Sequence, residues 1–294
     1  MPARILDGNS YAAGIRGEVA RDVAEFEKFY GPIKLASILV GGDAGARLYC
    51  DSQKKRCEQV GIDYELLELS AEASQDELLG LIQRLNKDEA ATGIMLQMPL
   101  PPHMDSATAQ NCIDPYKDVE GVSPANIGML FYGRPIIAPC TALAIQEVLQ
   151  RSGTVIRGAE ACVIGQSRIV GKPTTMFLLS QSATVTACHI DTRDTAAHAR
   201  KADIVIVAIG KPRAIGAEYI KPGAVVIDVG INSIMARDAS GKEVRRTVGD
   251  VDFDAVVPIA GAITPVPGGV GPLTVVMLLR NLLEAARKQR MRPV

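Results

Sequence analysis

The sequence predicts an α/β protein of two domains, each built on a mostly parallel sheet, the second Rossmann-like, with a cleft between them. Three observations carry that prediction. The chain has 294 residues, which is long for one hydrophobic core. Short apolar runs alternate with segments of helical periodicity, the pattern of parallel βαβ units. A glycine-containing turn, VIGQSRIVGKP, follows one apolar run and opens a helix-like one, as nucleotide-binding loops do.

Taken in order, KLASILVGG (34–42) is a strand, 45–60 a helix ending at Gly61, and YELLEL (64–69) an alternating strand. Residues 74–86 carry helical periodicity, and GIMLQMPLP (93–101) is an apolar run stopped by prolines. A Pro- and Gly-rich stretch near 114–140 separates this block from the helix TALAIQEVLQ (141–150). The second block has four short apolar strands, ACVIG (161–165), ATVTAC (183–188), DIVIVAIG (203–210) and AVVIDVG (224–230). Strands apolar throughout are those of a parallel sheet covered on both faces. The last helix, about 272–288, is expected to return to the first block. The domains expected are therefore 1–140 with 272–294, and 141–271.

Composition narrows the function. Apolar residues are 47%, charged residues 22%, and the formal net charge is −1, so an ordinary soluble globule is expected. Without a basic face or tryptophan, and with 4% aromatics, neither nucleic acid nor an anionic membrane is an expected partner. The six cysteines form no CxxC pair and there are three histidines, so no metal site is expected. The thiols suit a reducing cytosol. MPARILDGNS lacks an apolar run after a basic start, and no uncharged apolar stretch is long enough to span a bilayer. A cytoplasmic location is the expectation.

Two stretches bear on chemistry. In LYCDSQKKRC (48–57), Tyr49 and Gln53 lie four apart on a helix-like segment, so both fall on one face. In GQSRIVG, Gly165 and Gly171 frame Ser167 in a GxSxxxG pattern one residue longer than the usual fingerprint. Alone, it reads equally as a structural turn or a nucleotide site; its place after the first strand of a βαβ block favours the nucleotide.

Several segments together resemble one family, the bifunctional methylenetetrahydrofolate dehydrogenase/methenyltetrahydrofolate cyclohydrolases (FolD). They are ILDG (5–8), LYCDSQKKRCEQVGI (48–62), LQMPLP (96–101), KDVEG (117–121), PCT (139–141), GQSRIVGKP (165–173), DVGIN (228–232), GDV (249–251) and ITPVPGGVGPLT (263–274). The resemblance implies a homodimer that oxidises 5,10-methylenetetrahydrofolate with a nicotinamide cofactor and then hydrates the methenyl product to 10-formyltetrahydrofolate. It implies that Tyr49 stacks on the folate, that Gln97 with Leu96 and Met98 holds the reaction centre, and that Glu120 anchors the pterin. It further implies that the segment holding Pro265, Pro267, Gly268 and Gly269 lines the folate site. Gly165, Gln166, Ser167, Gly171 and Ile231 would line the NADP or NAD site.

The chain departs from the family pattern at Ala46 for a serine, Gln53 for a lysine, Glu120 for an aspartate, and Ala142 and Ala144 for the Pro and Gly after PCT. Hydride loss from a methylene carbon needs no general base, only orientation. Hydration needs a proton shuttle, and glutamine has no accessible titration. Tyr49, Gln53, Gln97 and Glu120 are thus the catalytic candidates, with cyclohydrolase activity expected weak or absent. Lys54 and Lys55 fall about 100° and 200° round the helix from Gln53, so neither replaces the lysine; Glu120 is the other candidate base. The alternatives are the full bifunctional enzyme and a non-catalytic dinucleotide- or folate-binding homologue.

Cofactor preference stays open at this level. Gln166 and Ile190 are neutral where many relatives carry groups that receive a 2′-phosphate. Asp191, after the second strand of the block, either bonds a ribose 2′-hydroxyl or caps the next helix.

Overall fold

The computed structural model describes residues 2–42, 44–237 and 242–291. The chain divides into two compact units, Gly14–Cys140 with Val276–Val294, and Met1–Ala13 with Thr141–Val275.

The first unit is built on three parallel strands, β2 (Lys34–Val40), β3 (Asp63–Leu69) and β4 (Gly93–Leu96), in the order β3-β2-β4. The central strand KLASILV is buried from its second residue on, which is why it lacks polar alternation. The unit's helices are α1 (Gly8–Tyr30, from Gly14 on), α2 (Ala44–Glu58), α3 (Gln75–Lys87), α4 (Ser106–Cys112), α5 (Pro124–Phe131) and the greater part of α10 (Val270–Arg290). Helix α3 shows how local sequence sets an element. Ser74 and Glu77 form a reciprocal capping box, and Leu78, Leu81, Ile82 and Leu85 line its buried stripe. Helix α10 packs where β4 offers no side chain: a Cβ on Gly93 would lie 2.6 Å from Leu282 Cδ2. Arg280 and Arg287 of α10 pair with Glu18 and Asp22 of α1 at 3.5 and 3.2 Å.

The second unit holds a fully parallel six-stranded sheet. Its strands are β1 (Arg4–Ile5), β5 (Glu160–Ile164), β6 (Thr184–Cys188), β7 (Ile204–Val207), β8 (Val225–Asp228) and β11 (Ala262–Ile263). Their order is β1-β11-β8-β7-β5-β6. Helices α6 (Cys140–Arg151), α7 (Gly171–Ser180), α8 (Thr195–Ala199) and α9 (Phe253–Val256) complete it, with a separate antiparallel pair β9 (Asn232–Arg237) and β10 (Glu243–Val248). From β5, the chain moves first to β6 on one side and then across to β7 on the other. The point between β5 and β7 is therefore a topological switch point, where open α/β sheets bind ligands.

Three features differ from the sequence reading. Residues 1–13 belong with the six-stranded unit, because β1 pairs with β11. The division near the C-terminus falls after Val275 rather than before residue 272. Helix α1, unassigned from sequence, buries Ala12, Ile15, Val19 and Val23. Five cysteines are buried, Cys50, Cys57, Cys140, Cys162 and Cys188, while Cys112 is partly exposed. Among the described residues no helix is long and apolar enough to cross a membrane.

Candidate active site

In the three-stranded unit, the ends of β2 and β4 and the first half of α2 enclose a cavity of about 470 Å³. Its walls bring together Tyr49, Leu96, Gln97, Met98 and Glu120, with Gly41, Gly42 and Ala46. The backbone of Gln97 extends β4 by donating to the Ile38 carbonyl at 2.9 Å, which fixes its side chain at the strand end. Its Nε2 donates to Ser37 Oγ at 2.9 Å and to Gln53 Oε1 at 3.0 Å.

Gln53 does not line the cavity. It is 5% exposed, against 52% for Tyr49, and it lies behind Gln97, donating Nε2 to Met95 Sδ at 2.9 Å. Sequence spacing puts Gln53 on the helix face of Tyr49; its burial sets it back from the cavity. Lys54 and Lys55 face solvent, and Lys54 sits 3.9 Å from Glu58.

Glu120 reaches the cavity from the loop between α4 and α5, which Asp118 holds in shape. The Asp118 carboxylate accepts from Gly121 N, Ser123 N and Asn126 Nδ2 at 2.8–3.0 Å. Burial, with the Asp118 charge beside it, pushes the Glu120 carboxyl up to about 7. Burial, and then the Glu120 charge, raise the Tyr49 phenol above its ordinary value. Asn281 of α10 ties this region together, its Nδ2 donating to the Val119 and Ala138 carbonyls at 2.8 and 2.9 Å.

The six-stranded unit has its own cavity of about 290 Å³, which gathers Asn9, Asp228, Gly230 and Ile231 with the Pro265–Pro272 segment. Pro265, Pro267, Gly268 and Gly269 thus meet Ile231 here. Gly8 of ILDG lies against this segment: a Cβ there would sit 1.7 Å from the Gly269 carbonyl oxygen. Two buried carboxylates, Asp228 in the cavity wall and Asp250 bonded to it, are ones to which the sequence reading gave no role. Asp228 accepts from the N–H groups of Gly230, Asp250 and Val251. Asp250 accepts from Ile209 N, Gly210 N and Asn232 Nδ2. The signal was present in DVGIN and GDV, where glycines flank both acids; a Cβ on Gly249 would strike Asp228 Oδ2 at 1.8 Å.

The glycine loop leaves the end of β5 at the switch point. Gly165 has φ +101°, and a Cβ on it would lie 2.1 Å from the Ala208 carbonyl oxygen; one on Gly171 would lie 1.8 Å from the Gly165 carbonyl oxygen. Ser167 is exposed; its Oγ accepts from Val170 N at 3.2 Å and its carbonyl from Lys172 N at 3.1 Å, which closes the turn into the start of α7. Gln166 turns inward, its Nε2 donating to the Val163 carbonyl at 3.1 Å. Ile190 is exposed beyond β6, and Asp191 Oδ2 lies 3.6 Å from His189 Nδ1. Asp191 does not cap the next helix; Asp194 does, accepting from Ala197 N. A turn closed by two glycines between a strand end and a helix start fits a dinucleotide pyrophosphate.

Comparison with known proteins decides the family. Residues 139–290 match the tetrahydrofolate dehydrogenase/cyclohydrolase NAD(P)-binding domain, and residues 6–120 match the catalytic domain of the same family. The chain belongs to the tetrahydrofolate dehydrogenase/cyclohydrolase family. It is 47% identical over 288 residues to the bifunctional protein FolD of Moorella thermoacetica, covering 98% of this chain and all of that one. The Trypanosoma brucei methylenetetrahydrofolate dehydrogenase-cyclohydrolase, solved with NADP cofactor and inhibitor, superposes with a TM-score of 0.90 at 38% identity, covering 99% and 100% of the two chains. A silkworm (Bombyx mori) 5,10-methylenetetrahydrofolate dehydrogenase gives the same TM-score at 39% identity, with the same coverage. The segment that matches the family's NAD(P)-binding domain holds most of the six-stranded unit and the loop Gly165–Gly171.

Proposed function

We propose that the protein oxidises 5,10-methylenetetrahydrofolate to the methenyl compound with NAD(P)+, and that its cyclohydrolase activity is weak or absent. The observation that supports this reading is the buried amide pair Gln53–Gln97, standing where the family pattern has a lysine. When bound, the nicotinamide accepts the hydride. The chain's own groups orient the carbon that loses it. Tyr49 offers an exposed ring to the pterin side, and Gln97 sits at the strand end facing the one-carbon unit. No proton leaves carbon in this step, so an amide pair suffices.

Hydration asks for more. Water must lose a proton and a ring nitrogen must gain one, and positioned acid–base help is worth about 10²–10⁴ in rate. Of the described residues that wall the cavity, Tyr49 and Glu120 titrate, and the phenol is raised away from neutrality. Glu120, brought near neutrality by burial, favours a second reading in which it sustains residual hydration.

The experiment is a single optical assay with methylenetetrahydrofolate and each of NAD+ and NADP+, following reduced nicotinamide and methenyl absorbance together. Matching accumulation of both supports the reading. Reduced nicotinamide without methenyl accumulation beyond the spontaneous rate points to the full bifunctional enzyme. No reduction with either nucleotide points to a non-catalytic binding homologue. A cytoplasmic homodimer is part of the same proposal; a monomer mass by light scattering removes the dimer.

A further inference from the structure

Met95 decides which way two buried amides point. A thioether sulfur has no proton to give. The Gln53 atom 2.9 Å from Met95 Sδ is Nε2; the flipped amide would set a carbonyl oxygen against the sulfur with no hydrogen between them. With its NH2 held there, Gln53 presents Oε1 to Gln97. Gln97 must then answer with Nε2, at 3.0 Å, and its other amide hydrogen goes to Ser37 Oγ at 2.9 Å. Ser37, Gln53, Met95 and Gln97 are all buried. Both Gln97 donors are thus spent inside the protein. Its Oε1 takes no hydrogen bond from the described residues, and the side chain walls the cavity. The carbonyl oxygen is what Gln97 offers to a ligand.

We propose that Met95, Gln53 and Ser37 are positioning residues that lock the Gln97 amide with its oxygen toward the one-carbon unit, so that the cavity prefers the methenyl cation to the methylene compound. The inference rests on the function proposed above. Loss of hydride turns a neutral N–CH2–N group into a cation spread over N–CH–N. An amide oxygen fixed beside that carbon stabilises the charge as it develops, whereas an NH2 group would oppose it. A lysine at position 53 would reverse the relay. Its ammonium only donates, so Gln97 would turn Oε1 inward and its NH2 outward. Glutamine at 53 therefore does more than remove a base: it sets the sign of the dipole the cavity presents.

The test compares dissociation constants of 5,10-methenyl- and 5,10-methylenetetrahydrofolate, without nucleotide, for the full-length protein and Met95→Leu. The two ligands differ by one hydride. Leucine keeps the volume and removes the acceptor. The wild type is expected to bind the methenyl compound about fivefold or more tighter, and Met95→Leu to shrink that ratio about threefold or more. In turnover, Met95→Leu is expected to lower kcat for methylene oxidation while leaving KM within about twofold. A wild type with no preference for the cation overturns the proposal, whether or not the variant folds. So does a folded Met95→Leu with an unchanged ratio, or one that weakens both ligands equally. If the wild type oxidises methylenetetrahydrofolate but shows no such ratio, the relay alone is wrong. If it turns over with neither nucleotide, the proposed function falls first.

Discussion

Asp228 Oδ1 accepts the backbone N–H of Asp250 at 3.0 Å, so two buried acids are tied together. Burial outweighs the backbone donors and pushes the Asp228 carboxyl up to about 6. A folded-state pKa above the unfolded value of about 3.9 means that the folded protein holds the proton more tightly. Stability from this group is present at low pH and is lost as pH rises from about 4 through 6. Asp228→Asn removes that slope. It also aims an NH2 group at backbone donors, which costs about 1–3 kcal/mol where the ionised acid would accept. Denaturant melts at acid and neutral pH are therefore expected to show the larger loss for the variant at acid pH, with the gap narrowing as the parent's own stability falls through about pH 6.

Glu120 behaves in the same direction over a higher window. Its carboxyl lies near 7 in the fold and near 4.3 unfolded, so its contribution falls as pH rises from about 4 through 7. Glu120→Gln should therefore gain stability relative to the parent at pH values above 7. Kinetically, residual hydration of the methenyl compound, if carried by the carboxylate, rises with pH and levels above 7. The glutamine variant should lose that rise and about 10-fold or more of the rate above the spontaneous blank. A profile unchanged by Glu120→Gln removes the acid from the chemistry.

Gln53→Lys returns a titratable amine to the position behind Gln97. Hydration is expected to increase about 10²-fold, provided the ammonium can shed its proton in that buried place. The same change costs stability, because Met95 Sδ cannot satisfy a charge and position 53 is 5% exposed. A folded variant with no gain in hydration shows that position 53 is not the missing element.

Gly171→Ala tests the nucleotide loop without touching the folate-side cavity. The added methyl would meet the Gly165 carbonyl oxygen at 1.8 Å, so the turn must open. Expected are a stability loss of about 1–3 kcal/mol and at least about tenfold weaker NADP+ or NAD+ binding by calorimetry. Methylenetetrahydrofolate binding without nucleotide should be retained.

The sheets were legible because buried parallel strands are apolar throughout, and β2, β4, β5 and β7 have little else. Helix α1 was equally legible in principle. Ala12, Ile15, Val19 and Val23 recur at helical spacing, but charged residues between them dilute any local count of apolar residues. The two-residue strands β1 and β11 carry no periodicity, so the return of residues 1–13 to the second unit is written only in tertiary pairing. At the candidate site, the expectation that Tyr49, Gln97 and Glu120 serve one site came from the family resemblance, and the three do line one cavity. The retreat of Gln53 behind Gln97 was not legible in the sequence. Helical spacing puts it on the face of Tyr49, but burial depends on Met95 and Ser37, which come from two different strands. Gln166 likewise reads as a loop residue in sequence and is drawn inward to the Val163 carbonyl.

The buried cysteines make the molecule a recorder of its own breathing. Cys57 is fully enclosed in the three-stranded unit, and Cys162 and Cys188 in the six-stranded one. Burial pushes the Cys57 and Cys162 thiols up to about 12, so neither ionises while its unit stays shut. A thiol reagent added to the native protein therefore modifies partly exposed Cys112 first and reaches the others only through opening. Mass analysis of the peptides then dates the opening of each unit separately, with no label to introduce and no residue to change.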